Sequence, residues 1–278
     1  MQYEEIQKPT QAEIREVWEQ AAENAATENV RGVYLTKLFL RPIEKGMEYL
    51  PKIQDDNKKI KKIAILKVDL WNEGIDFKRN ILKHLVKNEN ALYGIDISYK
   101  TCSLAQQYTK GINVSQGTID NLGFKPESFD MVLDLSTLDH LPQEKLPEVL
   151  AEYSRVLKSK GVFILVFDWW GIVWSLYMLY LKKVRGHKDY FFKGTNIPSR
   201  YIHPIKIMKK ITEQNGFEIK NEYCIDYTGW TWNRVTKPFW VCVSDKWYDR
   251  ILDVEYSGLS KWMRPFAKQY VVIAQKIK

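Results

Sequence analysis

The sequence predicts an α/β fold in which a mostly parallel, doubly wound sheet of seven strands carries helices on both faces. Two observations support this class. Short apolar runs alternate with amphipathic segments of helical period from residue 63 onward, and this alternation is typical of parallel sheets. In addition, hydrophobic residues make up 45% of the 278 residues, which is enough apolar material for a large core.

The apolar runs place the individual strands, and the amphipathic segments place the helices between them. We expect strands at residues 63–68, 91–96, 112–115, 129–135, 162–167, 217–225 and 270–276. We expect helices at residues 77–86, 98–109, 144–157 and 205–214. The last helix is followed by Asn215 and Gly216, a pair that is typical of a helix C-terminus.

The first 60 residues have a different pattern and are predicted to form a helical N-terminal cap on a main domain of residues 61–278. Within this cap, Ile14, Val17, Trp18 and Ala21 recur at the spacing of one helix face.

Two aromatic segments are predicted to be additions to the sheet. Residues 169–204 comprise an apolar helix and a loop, and residues 227–268 are an insertion that contains five tryptophans. The insertion is either a substrate lid or a hydrophobic cluster that seals one sheet edge. The apolar helix is either covered by protein or lies against lipid, since the basic residues that follow it up to residue 188 give the segment the composition of an interfacial helix. The sequence leaves these alternatives open.

Charge and cysteine content restrict the partners. The net charge is +8, but the lysines and arginines are spread among 34 acidic residues, so we interpret them as solvated surface and do not expect nucleic acid as a partner. Cys102, Cys224 and Cys242 have no metal-ligand spacing, and no metal is expected. Together with the polar N-terminus, this predicts a cytoplasmic protein, with residues 169–188 as a candidate for peripheral contact with the inner face of the membrane.

One acidic residue stands out as a candidate binding group. Asp96 ends the second apolar run and precedes a segment that is predicted to be helical from Ser98. In open α/β sheets, ligands bind at the carboxyl ends of the strands. A carboxylate at this position is well placed to accept hydrogen bonds from the two hydroxyls of a ribose.

Six segments, in order, resemble the class I S-adenosylmethionine-dependent methyltransferases, in particular a divergent small-molecule branch with a glycine-poor first motif. The segments are 65–74 (ILKVDLWNEG), 94–98 (GIDIS), 116–124 (QGTIDNLGF), 128–134 (SFDMVLD), 136–141 (STLDHL) and 155–161 (RVLKSKG). The resemblance implies a Rossmann-like sheet whose last strand is antiparallel, and S-adenosyl-L-methionine as the cofactor. The departure is in the first segment, where Lys67 replaces the usual acid and only Gly74 remains of the usual glycines.

The resemblance implies cofactor contacts at eight positions. Asp96 would bind the ribose hydroxyls, and Asp69 or Glu73 would accept the cofactor ammonium, although both could instead cap the following helix. Thr118 stands where the family often has an acid that faces the adenine amine. Ile97 and Ile119 would pack on the two faces of the purine, or belong to the core. The cofactor-binding candidates are therefore Asp69, Glu73, Gly74, Asp96, Ile97, Thr118, Ile119 and Asp134.

The segment after Asp134 supplies the catalytic candidates. His140 could remove a proton from an attacking hydroxyl, and Asp139 could orient its ring. In the family, however, a histidine at this position often helps to close a turn, and methyl transfer from a sulfonium depends mainly on in-line positioning. The sequence therefore leaves two alternatives for His140, a catalytic base or a residue that helps to close the turn.

The sequence predicts an enzyme that methylates a small-molecule, glycan or lipid-linked acceptor. A binding protein of the same fold without catalytic activity is the first alternative, because the first motif lacks glycines. A nucleic-acid methyltransferase is the second. The sequence does not predict the acceptor or the oligomeric state.

Overall fold

The structure is a computed structural model, and it describes residues 11–24, 32–51, 62–75, 80–86, 90–169, 171–183, 201–227 and 245–277. The strands are β1 (Ala64–Val68), β2 (Ala91–Asp96), β3 (Ile112–Gln116), β4 (Phe129–Leu135), β5 (Leu157–Asp168), β6 (Phe217–Ile225) and β7 (Gln269–Lys276). They form one sheet in the order β3-β2-β1-β4-β5-β7-β6. The first five are parallel, and β7 runs antiparallel between β5 and β6. The predicted fold class is therefore confirmed, including the antiparallel last strand.

The described helices lie between and around these strands. They are α1 (Gln11–Asn24), α2 (Gly32–Met47), α3 (Trp71–Gly74), α4 (Leu82–Leu85), α5 (Tyr99–Tyr108), α6 (Leu146–Val156), α7 (Ile172–Lys183), α8 (Ile205–Gln214) and α9 (Asp245–Glu255). Short 3-10 helices span Leu138–His140, Gln143–Lys145, Gly258–Lys261 and Arg264–Phe266.

Each face of the sheet has its own apolar core. On one face, side chains of α2, α5 and α9 pack against β1, β4, β5 and β7. On the other face, α6 and α8 cover the same sheet. Strand β5 is buried on both sides from Val162 to Phe167, as expected for a strand between two helical layers.

The helical N-terminal segment has two parts with different surroundings. Helix α2 packs against β5 and β7, and Tyr34 and Leu38 are fully buried in that core. Helix α1 instead packs against α5. The domain division at residue 60 remains a prediction, but α2 already belongs to the same core as the sheet.

The two aromatic additions are described in part. Helix α7 exposes Ile172, Leu176, Leu179 and Tyr180, while Gly171 donates its N–H to the carbonyl of Ala267. Among the described helices, no helix reaches the length and apolar character that crossing a bilayer requires. Of the predicted insertion, 228–244 lie outside the described residues, and α9 and two 3-10 helices follow.

Helix α9 is tied to the rest of the protein by a buried carboxylate. Glu255 accepts hydrogen bonds from the hydroxyl of Tyr34, at 2.8 and 3.0 Å, and from the N–H of Tyr227, at 3.0 Å. These contacts join α9 to α2 and to the residues after β6. The described part of the insertion therefore packs on the sheet.

Candidate functional site

The carboxyl ends of β1, β2 and β4 bring three acidic residues to one edge of the sheet. Val68 is in register with Ile95 of β2 and with Asp134 of β4. Asp69 therefore follows β1 beside Asp96, and the carboxylate of Asp69 acts electrostatically on both Asp96 and Asp134. The topology assembles this cluster from positions far apart in sequence, as expected at the ligand-binding edge of an α/β sheet.

Asp96 is half-buried at the end of β2. Its Oδ2 accepts the N–H of Leu70 at 2.8 Å, and its Oδ1 accepts the N–H of Ser98 at 2.8 Å. A carboxylate has about four acceptor positions, so these two bonds leave capacity for a further donor. Burial and the neighbouring carboxylate of Asp69 raise the pKa of Asp96 to about 7.

Asp69 occupies a left-handed backbone conformation with φ of 72°. An Asp tolerates this region better than most residues because its short side chain can bond to nearby backbone. Here Oδ1 accepts the N–H of Trp71 at 2.7 Å, and the N–H of Asp69 donates to the carbonyl of Ile95 at 2.8 Å. Asp69 thus closes the turn into α3, and its half-buried carboxylate lies at the same edge as Asp96.

Glu73 lies inside the protein. Its Oε2 is 2.9 Å from Nζ of Lys67, and both side chains are at most 1% exposed. Its Oε1 accepts the N–H groups of Ile81 and Leu82 at 3.1 and 3.4 Å. This placement gives Glu73 a role in holding the chain together, and Asp69 is the better placed of the two candidates for the ammonium group.

Gly74 is required by the packing of two helices. A Cβ at this position would lie 2.5 Å from the carbonyl oxygen of Thr101, so the backbones of α3 and α5 approach too closely for any side chain. This role does not need a bound ligand.

The adenine candidates lie on the β2 and β3 side of the acidic cluster. Asp96 is in register with Gln116, whose side-chain amide donates to the carbonyl of Ile97 at 3.0 Å. Thr118 and Ile119 follow β3; Thr118 forms an isolated bridge with Asn121, and Ile119 packs on the core. The three adenine candidates, Ile97, Thr118 and Ile119, are all half-buried at this edge.

Asp134 is fully buried at the end of β4. Its Oδ2 accepts the hydroxyl of Tyr153 at 2.8 Å, and its Oδ1 accepts the N–H of Thr137 at 3.0 Å. Burial raises the pKa of Asp134 to about 6 against the opposite effect of these bonds. The carboxylate therefore supports the turn that leads to the catalytic candidates.

Asp139 and His140 have different surroundings. The Asp139 carboxylate is buried and accepts the N–H of Asp168 with both oxygens at 3.0 Å, which ties the 3-10 helix to the end of β5. The ring of His140 is half-buried and contacts the ring of Trp18, with centroids 4.9 Å apart and planes at 87°. Although they are neighbours in one 3-10 helix, the Asp139 carboxylate is therefore held by the end of β5, whereas the His140 ring contacts α1.

Helix α1 contributes residues that the sequence did not predict for the site. The carboxylate of Glu19 accepts the hydroxyl of Ser98 at 2.9 Å and the N–H groups of Tyr99 and Lys100 at 2.5 and 3.3 Å. Trp18 also contacts Trp71, at 5.8 Å between centroids. The helical spacing of Trp18 signalled an amphipathic helix, but nothing in the sequence indicated which edge that helix covers.

A comparison with known families identifies the central segment. Residues 78–165 match the profile described as "Methyltransferase domain". Part of the chain is also 27% identical over 144 residues to uncharacterized methyltransferases of Bacillus mycoides (strain KBAB4) and Bacillus cytotoxicus. Residues 78–165 are therefore similar to a methyltransferase domain. The match covers 50% of this chain and 65% of the length of those relatives.

Solved structures of methyltransferases share the fold. Geranyl diphosphate C-methyltransferase from Streptomyces coelicolor A3(2), solved with S-adenosyl-L-homocysteine, superimposes with a TM-score of 0.56 at 11% identity, covering 98% of this chain and 99% of its own. Magnesium protoporphyrin IX methyltransferase from Synechocystis PCC 6803, solved with bound SAH, gives 0.53 at 16% identity, covering 94% and 93%. These likenesses confirm the Rossmann-like fold of the chain.

The polar groups at the sheet edge fit the cofactor of class I methyltransferases, S-adenosyl-L-methionine. A ribose diol requires charged or strong acceptors, and Asp96 offers a half-buried carboxylate with unused acceptor positions. A cofactor ammonium requires an anion, and the Asp69 carboxylate lies at the same edge. The backbone N–H groups of Leu70 and Trp71 already bind Asp96 and Asp69, so they are engaged within the protein.

Proposed function

We propose that this protein transfers a methyl group from S-adenosyl-L-methionine to a small-molecule, glycan or lipid-linked acceptor. One observation carries the proposal: the half-buried carboxylate of Asp96 ends β2 beside Asp69, at the sheet edge where this fold binds its nucleoside. The matching domain profile over residues 78–165 supports it.

Each candidate residue would have a separate role in binding. Asp96 binds the ribose hydroxyls, Asp69 accepts the ammonium group, and Ile97 and Ile119 line the purine. The bound cofactor supplies an electrophilic methyl group on a sulfonium. The protein then needs chiefly to align the acceptor atom with that methyl group.

His140 is the candidate for receiving a proton from the acceptor. Its ring lies at the sheet edge next to Trp18. Asp139 binds the backbone of Asp168, so it would position the 3-10 helix that carries His140. A His140→Ala variant that binds S-adenosyl-L-homocysteine normally but has lost methyl transfer would support the base. Unchanged transfer would exclude it.

Calorimetry with S-adenosyl-L-homocysteine tests the proposal directly. We expect one site per chain, and no binding at millimolar concentration would overturn the proposal. Transfer of radioactive methyl from S-adenosyl-L-methionine into aqueous and organic extracts of cells would then separate polar from lipid-linked acceptors.

The second candidate function is a binding protein of this fold without catalytic activity. The observation that favours it is the first loop, where a half-buried Trp71 and a buried Lys67–Glu73 pair stand in place of the family's glycines and acid. Cofactor binding without methyl transfer into any extract would favour this function over the enzyme.

We also propose that the acceptor is apolar or lipid-linked and is met at a membrane surface. Ile172, Leu176, Leu179 and Tyr180 are each 46–62% exposed along α7, and exposed Lys183 ends this helix. Apolar residues beside cations are typical of interfacial helices. Pelleting with anionic liposomes should fall for Leu176→Glu but remain for the control Trp247→Glu, whose exposed side chain lies on α9. Equal pelleting of all three proteins would overturn this acceptor class.

A further inference from the structure

The buried ion pair between Lys67 and Glu73 is the most unusual feature of the first loop. The two charged side chains are 1% and 0% exposed, and Nζ lies 2.9 Å from Oε2. Burying such a pair costs desolvation energy that its attraction seldom repays. A pair of this kind is therefore weak evidence for a stabilising role, and its position must be considered instead.

Lys67 connects two ends of one turn. Its ammonium also donates a hydrogen bond to the carbonyl of Asp69, the residue with φ of 72°. Since Glu73 belongs to α3, Lys67 joins the start of the turn at residue 69 to the helix that follows. The same turn donates the N–H of Leu70 to Asp96 at 2.8 Å.

We propose that Lys67, held by Glu73, is a positioning residue that fixes the turn 69–73 so that Asp69 and Asp96 present their carboxylates to the cofactor. This inference rests on the proposed function. It explains why the first motif carries a lysine where an acid is usual. Lys67 binds the loop from inside the protein. The carboxylate that faces the ligand therefore belongs to Asp69 and not, as is usual, to the residue at position 67.

The electrostatic interactions agree with this arrangement. The positive charge of Lys67 acts on Asp96 and lowers its pKa, against the larger effects of burial and of Asp69, which raise it. The thiol of Cys102 in α5 interacts electrostatically with Asp96, and Glu19 of α1 acts on that thiol in turn. Burial opposes the charge on Lys67, but the carboxylates of Glu73, Asp69 and Asp96 raise its pKa, so it remains an ammonium.

Two single substitutions should therefore shift ligand binding in opposite directions. In Lys67→Met the nearby positive charge is lost, and buried Glu73 takes up a proton. The midpoint of the pH dependence of S-adenosyl-L-homocysteine binding should rise by about one pH unit, which weakens binding at pH 7 about fivefold. In Glu73→Gln the ammonium remains without its partner, and the midpoint should fall.

The experiment measures S-adenosyl-L-homocysteine affinity from pH 5.5 to 9 for the wild type and both variants. Lys158→Met is the matched control, because Lys158 pairs with Asp130 at 2.8 Å and lies near the start of β5, at the opposite end of the sheet. Circular dichroism and thermal unfolding establish that each variant is folded. If Lys67→Met does not fold, the midpoint shift of Glu73→Gln alone tests the proposal, which then requires that the midpoint falls.

The outcomes separate the two proposals. Opposite shifts, with Lys158→Met unchanged, support the positioning role. Shifts in the same direction, or no shifts, overturn the positioning role. The proposed function still stands in that case, provided that the wild type binds S-adenosyl-L-homocysteine. A wild type that binds no ligand at any pH overturns the proposed function itself.

Discussion

The N–H of Leu70 donates to Oδ2 of Asp96 at 2.8 Å, so the first loop of the sheet is fastened directly to the acidic residue that ends the second strand. A change in the conformation of this loop therefore alters the position of the Asp96 carboxylate, the candidate for binding the ribose. The converse also holds, since the charge of Asp96 strengthens this bond.

The first prediction concerns that carboxylate. Asp96→Asn keeps the size of the side chain but removes its charge, so S-adenosyl-L-homocysteine affinity should fall by about 10- to 100-fold, as expected when a charged hydrogen-bond acceptor is neutralised. Calorimetry measures the change. Asp253→Asn, at an exposed position on α9, is the control. Equal affinity for both variants would contradict the assignment of Asp96.

The second prediction is a pH dependence of the same binding. The pKa of Asp96 is raised to about 7. Because the ionised carboxylate is the better acceptor for hydroxyl groups, affinity should rise as the pH increases from about 6 to 8 and then level off. Asp96→Asn should show no such rise. A wild-type profile that is flat over this range would show that Asp96 does not control binding.

The third prediction separates packing from ligand binding at Gly74. In Gly74→Ala the new methyl group would lie 2.5 Å from the backbone oxygen of Thr101, so α3 must shift from α5. We expect a loss of about 1–3 kcal/mol in the free energy of unfolding, measured in urea. Gly258→Ala, where a Cβ meets no atom within 4 Å, should be close to wild type. The packing role is refuted if the two variants are equally stable.

The predictability of these elements depended on how local their signals are. Strands β4 and β6 and helix α8 begin and end as expected from the sequence, because their apolar periodicity is strong and polar residues flank them. Strand β5 begins five residues earlier than expected, at Leu157, since Leu157 already pairs with Phe129 of β4 before the register shifts to the pair of Met131 and Val162. Helix 77–86 is shorter in the structure, where α4 covers Leu82–Leu85, and 76–79 lie outside the described residues.

The residues of the candidate site could likewise be predicted only where their signal is local in the sequence. Asp96 could be found because a strand end and an acid coincide in sequence. Glu73 was also a candidate from the sequence, but the direction of its side chain depends on Lys67, six positions earlier and in another element. Glu19 could not be found at all, because its contact with Ser98 joins residues 79 positions apart.

The fourth prediction tests the attachment of α1. Glu19 caps the N-terminus of α5 through Ser98, Tyr99 and Lys100. Glu19→Ala should lower the free energy of unfolding by about 1 kcal/mol, the usual value of a helix cap. Glu23→Ala, exposed on the same helix, is the control. Thermal and urea unfolding measure both, and a larger loss for the control would argue against the cap.

The fifth prediction is a pH dependence of stability that originates at Glu255. Burial and Asp226 raise the pKa of Glu255 to about 8, from an ordinary value of 4.5. Between these two values the folded protein keeps a proton at Glu255 that the unfolded chain releases, so this group by itself lowers stability by about 1.4 kcal/mol for each unit by which the pH rises, in addition to the effects of Asp96 and Asp134 below pH 7. Glu255→Gln should reduce the slope by this amount. Glu213→Gln, at an exposed position on α8, should retain it, and identical slopes for the two variants would exclude Glu255 as the source.

The place of β7 in the sheet has a consequence for synthesis on the ribosome. Strand β6 pairs with β7 and reaches the other strands through it, so it cannot join the sheet until Gln269–Lys276 have emerged. Until then the apolar edge of β5 is open to pairing with other chains. The seven-stranded sheet is therefore complete only once β7 has formed, and before that moment the edge of β5 is a site for aggregation.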